Sequence, residues 1–544
     1  MRKHYLWIGA SLVALTACGE SLEVQNLNNP DVARAYATPS GVEGVVGGLG
    51  VQINNTQRAS ESINTQAKIF AGESFATVAN FGMAARTIIP RNAISNDLGN
   101  DNQVGNRSNW DVFSRASRSA ATAIQAIKAY QAKGLTMGST AQDARAMAFA
   151  YMIGGNSLGY LSLGYDSAAI VLPTTPSDEV PPLSHYSAVN KAALAMYDSA
   201  IAVANSAAAA TGANGFPLPS TWMSGQANLT KDNFIRLVRS YKARVRAGVA
   251  RTPTERAAVD WAAVISDATN GITADFTVSI GGSTGWSAGF DVSQSYVTGG
   301  WHAFPMFYVG MADISGAYDN WLKDGLTTRR AFLVQTPDKR WPQGATRAAQ
   351  QLEAPTVALP AGRYIRNRPT GEDVPTVGWG ESFYDHRRYG VVNIAASTGP
   401  YVEMSATEVD MLAAEGYIRT GNLAAAAALI DKTRIKNGLG SVGVPASASA
   451  PYSTAADCVP RVPQPPSFTS TACGSILEAM KYEKRMETAF TGYLVWYADG
   501  RGWGDLVTGT IVEWPVPYQE MQARYAPYYN GTRAAAKGTY GFGG

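Results

Sequence analysis

The sequence predicts a mostly α-helical protein made of paired antiparallel helices, with one large irregular, loop-rich insert. Apolar residues recur at helical spacing in several segments before residue 270 and after residue 404. Residues 404–438 have the pattern of two helices joined by a tight turn. Residues 271–403 differ from both flanks, because they have little helical periodicity and many glycines, prolines and aromatic residues.

Residues 1–17 have the pattern of a secretory signal peptide. Arg2 and Lys3 precede an apolar run at 6–15, which is too short to span a bilayer as a helix of the mature protein. The run ends in Leu-Thr-Ala-Cys, a bacterial lipobox, which predicts cleavage before Cys18 and acylation of Cys18, for example with palmitate. Several acyl chains on one residue anchor a protein stably, so residues 18–30 are expected to be a lipidated tether. The alternative is an ordinary secreted chain in which this cysteine occurs by chance.

Residues 31–270 are expected to form a helical N-terminal region. Segment 31–56 begins with a helical pattern and then becomes glycine-rich, and segment 60–105 is irregular and carries Phe81 on a loop. One helix is predicted after Trp110, and four more are predicted at 142–163, 187–208, 232–249 and 254–269. The helix at 232–249 has the clearest apolar stripe, formed by Phe234, Leu237, Val238, Tyr241, Val245 and Val249.

The helix pair at 404–438 has Gly421 at its turn, where a residue in the left-handed conformation commonly ends a helix. Small residues such as Ala413 and Ala427 allow the two helices to approach closely. The pair resembles a tetratricopeptide unit, and a stack of such units forms a curved scaffold. We therefore expect tetratricopeptide-like helix pairs in the body, and we expect residues 404–544 to form a C-terminal helical region.

The insert at 271–403 is the candidate binding region, because function concentrates on loops that a rigid scaffold holds. It contains five of the 12 tryptophans. Indole and phenol rings offer a flat apolar face to the C–H face of a sugar at low entropic cost. Trp286 and Tyr296 have glycine or serine neighbours and are expected to be exposed, whereas Trp301 has apolar neighbours and is a weaker candidate. The candidate ligand-binding residues of the insert are Trp286, Tyr296, Trp301, His302 and Trp321.

Charge and motif content argue against several function classes. The formal net charge is +3, and loss of Arg2 and Lys3 with the signal peptide leaves +1, which gives no basis for nucleic-acid binding. The four histidines are scattered, so no metal site is expected. No nucleotide-binding motif predicts a cofactor. A G-x-S-x-G motif at 155–159 lies within a helical pattern and lacks the preceding strand that a nucleophilic serine requires.

Two further features leave alternatives open. Cys458 and Cys473 bracket a proline-rich loop. In an oxidising compartment they can form a disulfide worth about 3 kcal/mol, and otherwise they are two free buried cysteines.

The second feature is a group of carboxylates that either supplies the pair needed for glycoside hydrolysis or is ordinary surface charge. This group consists of Glu372, Asp373, Glu381 and Asp385.

The segment 476–520 begins as an amphipathic helix that contains Glu483, Arg485 and Glu487 directly before a group of aromatic residues. Buried charges persist only when they are paired and hydrogen-bonded, so these three are predicted to form a structural ion network. Residues 514–517 (Trp-Pro-Val-Pro) are predicted to be stiff and extended, because each proline fixes its own φ. The segment resembles the C-terminal signature of the SusD/RagB family of bacterial outer-membrane nutrient-binding lipoproteins. The matching positions are Glu483, Arg485, Glu487, Phe490, Gly492, Trp496, Asp499, Trp514, Pro515, Pro517 and Glu520.

The resemblance implies a lipid-anchored protein on the surface of the outer membrane that binds a glycan or another nutrient and is not an enzyme. Its expected partner is a SusC-like TonB-dependent β-barrel receptor, to which it would deliver the ligand. SusD-like proteins also line their binding site with rings from the early loop, which adds Phe81 to the candidates. One alternative is a tetratricopeptide-type scaffold lipoprotein that binds protein partners. The other is a helical glycoside hydrolase that depends on a carboxylate such as Glu381.

Overall fold

The computed structural model describes residues 35–542, apart from 77, 101, 208–214, 226–228, 288, 291–302, 353–358, 360, 361, 373–381, 391 and 393–396. The described residues form 17 α-helices and eight short strands. The predicted mostly α-helical class is therefore confirmed. The predicted signal peptide, Cys18 and the tether lie outside the described residues.

Nine helices of the described chain precede the insert. They are α1 (Pro39–Gln57), α2 (Ile63–Phe70), α3 (Met83–Thr87), α4 (Gln103–Ala132), α5 (Thr140–Gly164), α6 (Tyr186–Ser206), α7 (Lys231–Gly248), α8 (Pro253–Ala257) and α9 (Trp261–Thr269). The helices predicted at 142–163, 187–208 and 232–249 correspond to α5, α6 and α7. The predicted stripe of α7 is buried over Phe234–Val245, because this face packs against its helical neighbours.

Eight helices lie in the insert and the C-terminal region of the described chain. They are α10 (Met306–Val309), α11 (Ala317–Lys323), α12 (Arg347–Leu352), α13 (Ala406–Arg419), α14 (Leu423–Lys436), α15 (Ile476–Thr488), α16 (Val495–Trp503) and α17 (Tyr518–Ala523). The predicted pair at 404–438 corresponds to α13 and α14. Gly421 between them has a φ of +84°, as the predicted turn requires.

The long helices form a continuous stack in which each packs against the next. Along the stack, α1 contacts α4, α4 contacts α5, α5 contacts α6, and α6 contacts α7. The stack continues through α9 and α13 to α14 and α15. Neighbouring helices therefore bury their apolar faces against one another, as the helices of a solenoid do.

Three of the predicted helices differ from those observed. The helix predicted after Trp110 begins earlier, at Gln103, so Trp110 lies inside α4. The glycine-rich part of 31–56 lies inside α1, because its glycines allow close contact with Trp222. A Cβ atom on Gly47 would lie only 2.5 Å from the Nε1 atom of Trp222. The predicted helix at 254–269 is divided into α8 and α9, because the Asp260 side chain accepts a hydrogen bond from the Ala263 amide and begins a second helix.

The strands form four two-stranded antiparallel sheets. β1 (Ser167–Ala169) pairs with β2 (Leu183–His185), and β7 (Arg461–Pro463) pairs with β8 (Thr471–Cys473). Within the insert, β4 (Ile365–Asn367) pairs with β5 (Tyr384–His386). β3 (Phe276–Ile280) pairs with β6 (Gly399–Met404), so the two ends of the insert lie side by side next to the helical stack.

The predicted ion network of α15 is confirmed, and it reaches well beyond that helix. Arg340 of the insert lies 2.9 Å from the Glu483 carboxylate and 3.1 Å from that of Glu487. Arg485 pairs with Asp505 at 2.5 Å. All of these side chains are buried, so the network fixes α15 both to the insert and to the chain that follows α16.

Cys458 and Cys473 form a disulfide with a Cα–Cα distance of 5.8 Å, next to the pairing of β7 and β8. Among the described helices, none combines the length and the apolar character needed to cross a membrane.

Candidate functional site

The early loop holds Phe81 in a conformation that bulky residues rarely adopt. Its φ is +57° and its ψ is +22°, and it lies in a single 3₁₀ turn between Asn80 and Gly82. A left-handed phenylalanine is strained by about 1–3 kcal/mol, and such strain concentrates at ligand sites. The turn leaves the ring of Phe81 half-buried and Asn80 exposed.

Phe290 of the insert is the ring partner of Phe81. The two ring centroids are 5.1 Å apart with an interplanar angle of 76°, which is a favourable edge-to-face arrangement. Both rings lie on a small apolar floor formed by the buried side chains of Ile69, Ala76 and Met83. The structure therefore brings together the early loop and the start of the insert as a half-buried aromatic surface.

Phe290 and Ala303, the described residues on either side of 291–302, are held by backbone hydrogen bonds. At one end, the Phe290 amide donates a hydrogen bond to the Arg58 carbonyl at 2.7 Å. At the other end, Ala303 exchanges two backbone hydrogen bonds with Phe75, of 2.9 and 3.0 Å. The candidates Tyr296, Trp301 and His302 belong to this segment and lie outside the described residues.

Polar residues lie on the two chain segments that carry the aromatic pair. The Asn55 side chain donates to the Gly285 carbonyl at 3.0 Å and accepts from the Ser287 amide at 2.7 Å. These bonds hold the first part of the insert against the C-terminal end of α1. Asn80 and Ser287 are exposed, so an amide and a hydroxyl group are available to hydrogen-bond a ligand that packs on the rings.

Trp286 is buried, contrary to the prediction that its glycine and serine neighbours expose it. Only 4% of its surface is accessible. Its ring fits beside Gly50 of α1, where a Cβ atom would lie 3.4 Å from the Trp286 ring. Trp286 is therefore a buried core residue and does not present an exposed ring to a ligand.

The interior next to Trp286 contains a small polar cavity. The cavity volume is about 20 Å³, which is enough for one ordered water molecule. The Asn54 Oδ1 and Gln57 Oε1 atoms are buried and have no hydrogen-bond partner in the described structure. Tyr160 also lines the cavity, and burial together with the charge of Glu403 raises the pKa of its hydroxyl. The cavity is therefore too small for a sugar.

Trp321 is also buried, which contradicts its place among the candidates. It has 2% accessible surface and packs edge-to-face on Phe307, with ring centroids 5.5 Å apart. The Arg329 guanidinium lies 4.2 Å from the ring centroid. Trp321 is therefore part of the core of the insert.

The two described residues of the candidate carboxylate group, Glu372 and Asp385, are paired with arginines. Asp385 is buried, and it lies 2.6 Å from Arg366 and 2.9 Å from Arg387. Glu372 also pairs with Arg366, at 2.8 Å. Both carboxylates are therefore engaged in ion pairs within the insert. Asp373 and Glu381 lie outside the described residues.

Nucleophile and metal chemistry gain no support either. Ser157 of the G-x-S-x-G motif lies inside α5, is fully buried and donates a hydrogen bond to the Ile153 carbonyl at 2.8 Å. Within the described ranges, no group of three or more histidine, cysteine or acidic residues is placed to hold a metal ion.

Phe290 and Asn55 were not among the sequence candidates. Phe290 follows a glycine, and the criterion that selected Trp286 and Tyr296 would have selected it too. Asn55 offers no such signal, because its role depends on contacts with residues more than 200 positions away.

Comparison with known proteins identifies the fold. A SusD superfamily protein from Bacteroides thetaiotaomicron matches with a TM-score of 0.50 and 13% identity, over 90% of this chain and 97% of that chain. A second SusD superfamily protein from the same organism matches with a TM-score of 0.50 and 11% identity, over 85% of this chain and 89% of the other. No protein-family model matches the sequence, and no curated protein matches it. The resemblance to SusD/RagB proteins is thus confirmed at the level of the fold.

Proposed function

We propose that this protein is a SusD-type binding protein that captures a glycan or another nutrient at the surface formed by Phe81 and Phe290. The observation that carries the proposal is this strained, half-buried aromatic pair, with exposed polar groups at its edge. The ring faces would contact the apolar face of a sugar, and Asn80 and Ser287 would bond its hydroxyl groups. Tyr296, Trp301 and His302 would complete the site from the segment between Phe290 and Ala303.

A glycan array tests this proposal. The purified protein without residues 1–18 is applied to the array, together with Phe81→Ala and Tyr296→Ala. The matched control is Tyr525→Ala, because Tyr525 is 99% exposed and lies outside the proposed site. The proposal predicts a set of bound glycans that both site variants lose and the control retains. Equal retention by all variants would refute the site.

We also propose that the protein is anchored through acylated Cys18 and delivers its ligand to a SusC-like TonB-dependent outer-membrane receptor. The lipobox and the SusD-like fold support this proposal. Labelled palmitate should enter the wild-type protein in cells and should be absent from Cys18→Ala. The receptor should co-purify from outer membranes with the wild-type protein.

A protein-binding scaffold is the second candidate function. Burial of Trp286 and Trp321 favours it, because a scaffold does not need exposed rings in the insert. A protein that binds no glycan on the array and co-purifies with a partner other than a transporter would be a scaffold of this kind.

A further inference from the structure

A second pocket lies on the C-terminal side of the body, on residues that the proposed glycan site does not use. It is bounded by Thr252 and Pro253, by the end of α16, by Val512 and by residues 533–539, which we call the C-terminal strap. The cavity volume of this pocket is about 290 Å³. This volume is close to the lower limit of small-molecule sites, about 300 Å³.

Four cationic side chains line this pocket. Arg251 and Arg501 are buried, at 1% accessible surface each. Arg533 and Lys537 lie at the exposed rim. Of the described carboxylates, only those of Glu255 and Glu513 form ion pairs with this group. Positive charge therefore exceeds negative charge at the pocket.

Of the two buried cations, Arg501 is the one without a described carboxylate partner, and its guanidinium lies 5.1 Å from the centroid of the Tyr497 ring. Its two terminal nitrogens donate to the carbonyls of Val512 (2.7 Å) and Gly248 (3.0 Å), and its buried Nε atom has no hydrogen-bond partner in the described structure. No described carboxylate lies within ion-pair distance of it, and burial together with Arg251 lowers the pKa of its guanidinium to about 9. A buried charge without a counter-ion is costly, and an anion at this position would remove that cost.

The strap is held rigidly over the pocket. The Val512 amide donates to the Arg533 carbonyl at 3.0 Å, and the Thr539 amide donates to the Gly504 carbonyl at 2.9 Å. Gly538 passes so close to Gly504 that a Cβ atom would lie 2.1 Å from its carbonyl oxygen. The backbone of the strap and the buried Arg251 and Arg501 are therefore positioned before any ligand arrives, which limits the entropic cost of binding.

We infer that this pocket binds a small oxyanion, either an inorganic one such as sulfate or phosphate or the carboxylate of a sugar acid. Guanidinium groups match the planar and tetrahedral oxygens of such anions and form strong charge-assisted hydrogen bonds with them. The buried Arg501 forms the floor of the site, and Lys537 attracts the anion at the rim.

Calorimetric titration of the purified protein with sodium sulfate, sodium phosphate and sodium glucuronate tests the inference, with ionic strength kept constant by sodium chloride. At least one of these anions should bind. Lys537→Gln should weaken binding about threefold, as expected for an exposed charge. Glu513→Gln should strengthen binding, because it removes a competing carboxylate. Lys133→Gln, an exposed lysine outside the pocket, is the control and should bind as the wild type does.

The opposite signs expected for Lys537→Gln and Glu513→Gln separate ligand binding from a loss of folding, which would weaken binding in both variants. Crystals soaked in selenate should show an anomalous peak in the pocket between Arg501 and the C-terminal strap. The absence of heat with all three anions, unchanged affinity in both variants, or a selenate peak only outside the pocket would overturn the inference.

Discussion

At the scale of single residues, Arg340 shows how buried charge holds this fold together. Its guanidinium contacts Asp338 at 2.8 Å as well as Glu483 and Glu487, and all four side chains are buried. Removal of one partner from a buried ion pair leaves the others without compensation. The contribution of Arg340 therefore comes from preventing unpaired buried carboxylates more than from the attraction itself.

Arg340→Met should lower the free energy of unfolding by about 3–5 kcal/mol. The matched control is Lys432→Met, because Lys432 pairs with Asp410 at 3.1 Å with both side chains partly exposed. That variant should change stability by less than about 1 kcal/mol. Urea denaturation measures both, and similar small changes in the two variants would contradict the structural role of the network.

Asp166 should make stability depend on pH. Burial raises the pKa of its carboxyl to about 6, although the hydroxyl of Tyr529 donates to it. Between about pH 4 and pH 6 the native state therefore binds more protons at this residue than the unfolded state does. Its contribution to the free energy of unfolding must fall as the pH rises through this range.

Asp166→Asn should remove this pH-dependent loss, so the variant should gain stability relative to the wild type between pH 4.5 and pH 7. Urea denaturation at both pH values measures the change, with Asp178→Asn as the control at an exposed carboxylate. A constant stability difference between Asp166→Asn and the wild type at the two pH values would show that Asp166 does not titrate in this range.

At the scale of elements, α1 shows why a glycine-rich segment is helical here. Isolated glycines weaken a helix, but Gly47 and Gly50 provide the space that Trp222 occupies. Packing therefore outweighs the low helix propensity of this segment. The same helix contains Gly44, which has no atom within 4 Å of a Cβ position and serves as an internal comparison.

Gly47→Ala should destabilise the protein by about 1–3 kcal/mol, because the added methyl group displaces Trp222. Gly44→Ala should instead stabilise it by about 0.4–1 kcal/mol, since the unfolded chain loses conformational freedom and no clash arises. Thermal unfolding of the two variants checks both signs. Two changes of the same sign would mean that contact with Trp222 does not determine which glycines α1 requires.

Prediction from the sequence succeeded where contacts repeat locally. Helix α7 was predicted closely, because its apolar residues follow the helical period over the whole element. The division between α8 and α9 was missed, since a capping aspartate interrupts an otherwise periodic pattern. The helix of α1 was only partly predicted, because glycine content alone does not reveal the tryptophan that packs on it.

At the scale of the whole molecule, the body and the site differ in how far the sequence predicts them. The fold was accessible through the C-terminal signature and the helical periods. The exposure of individual rings could not be predicted from the sequence, because it depends on distant residues. Gly50 makes room for Trp286, and Phe307 and Arg329 cover Trp321. Phe81 was chosen through the family resemblance, and it alone of the described candidates lies half-buried at a surface.

The helical stack and the buried ion pairs together support the Phe81–Phe290 surface. A stack of paired helices supports the early loop and the start of the insert, and buried ion pairs connect the insert to α15. The helical body presents the Phe81–Phe290 surface, and these two rings pack on a small apolar cluster that is separate from the main core. A binding protein benefits from this division, because site residues can vary while the scaffold keeps its stability.

The most direct test is the affinity of the Phe81–Phe290 surface for a glycan found on the array. Calorimetry on the wild type, Phe81→Ala, Phe290→Ala and Tyr525→Ala gives four dissociation constants. We expect each site variant to weaken binding by about tenfold or more, since burial of a phenylalanine side chain is worth about 1.5–3 kcal/mol, and we expect Tyr525→Ala to match the wild type. Wild-type affinity in both site variants would contradict the account.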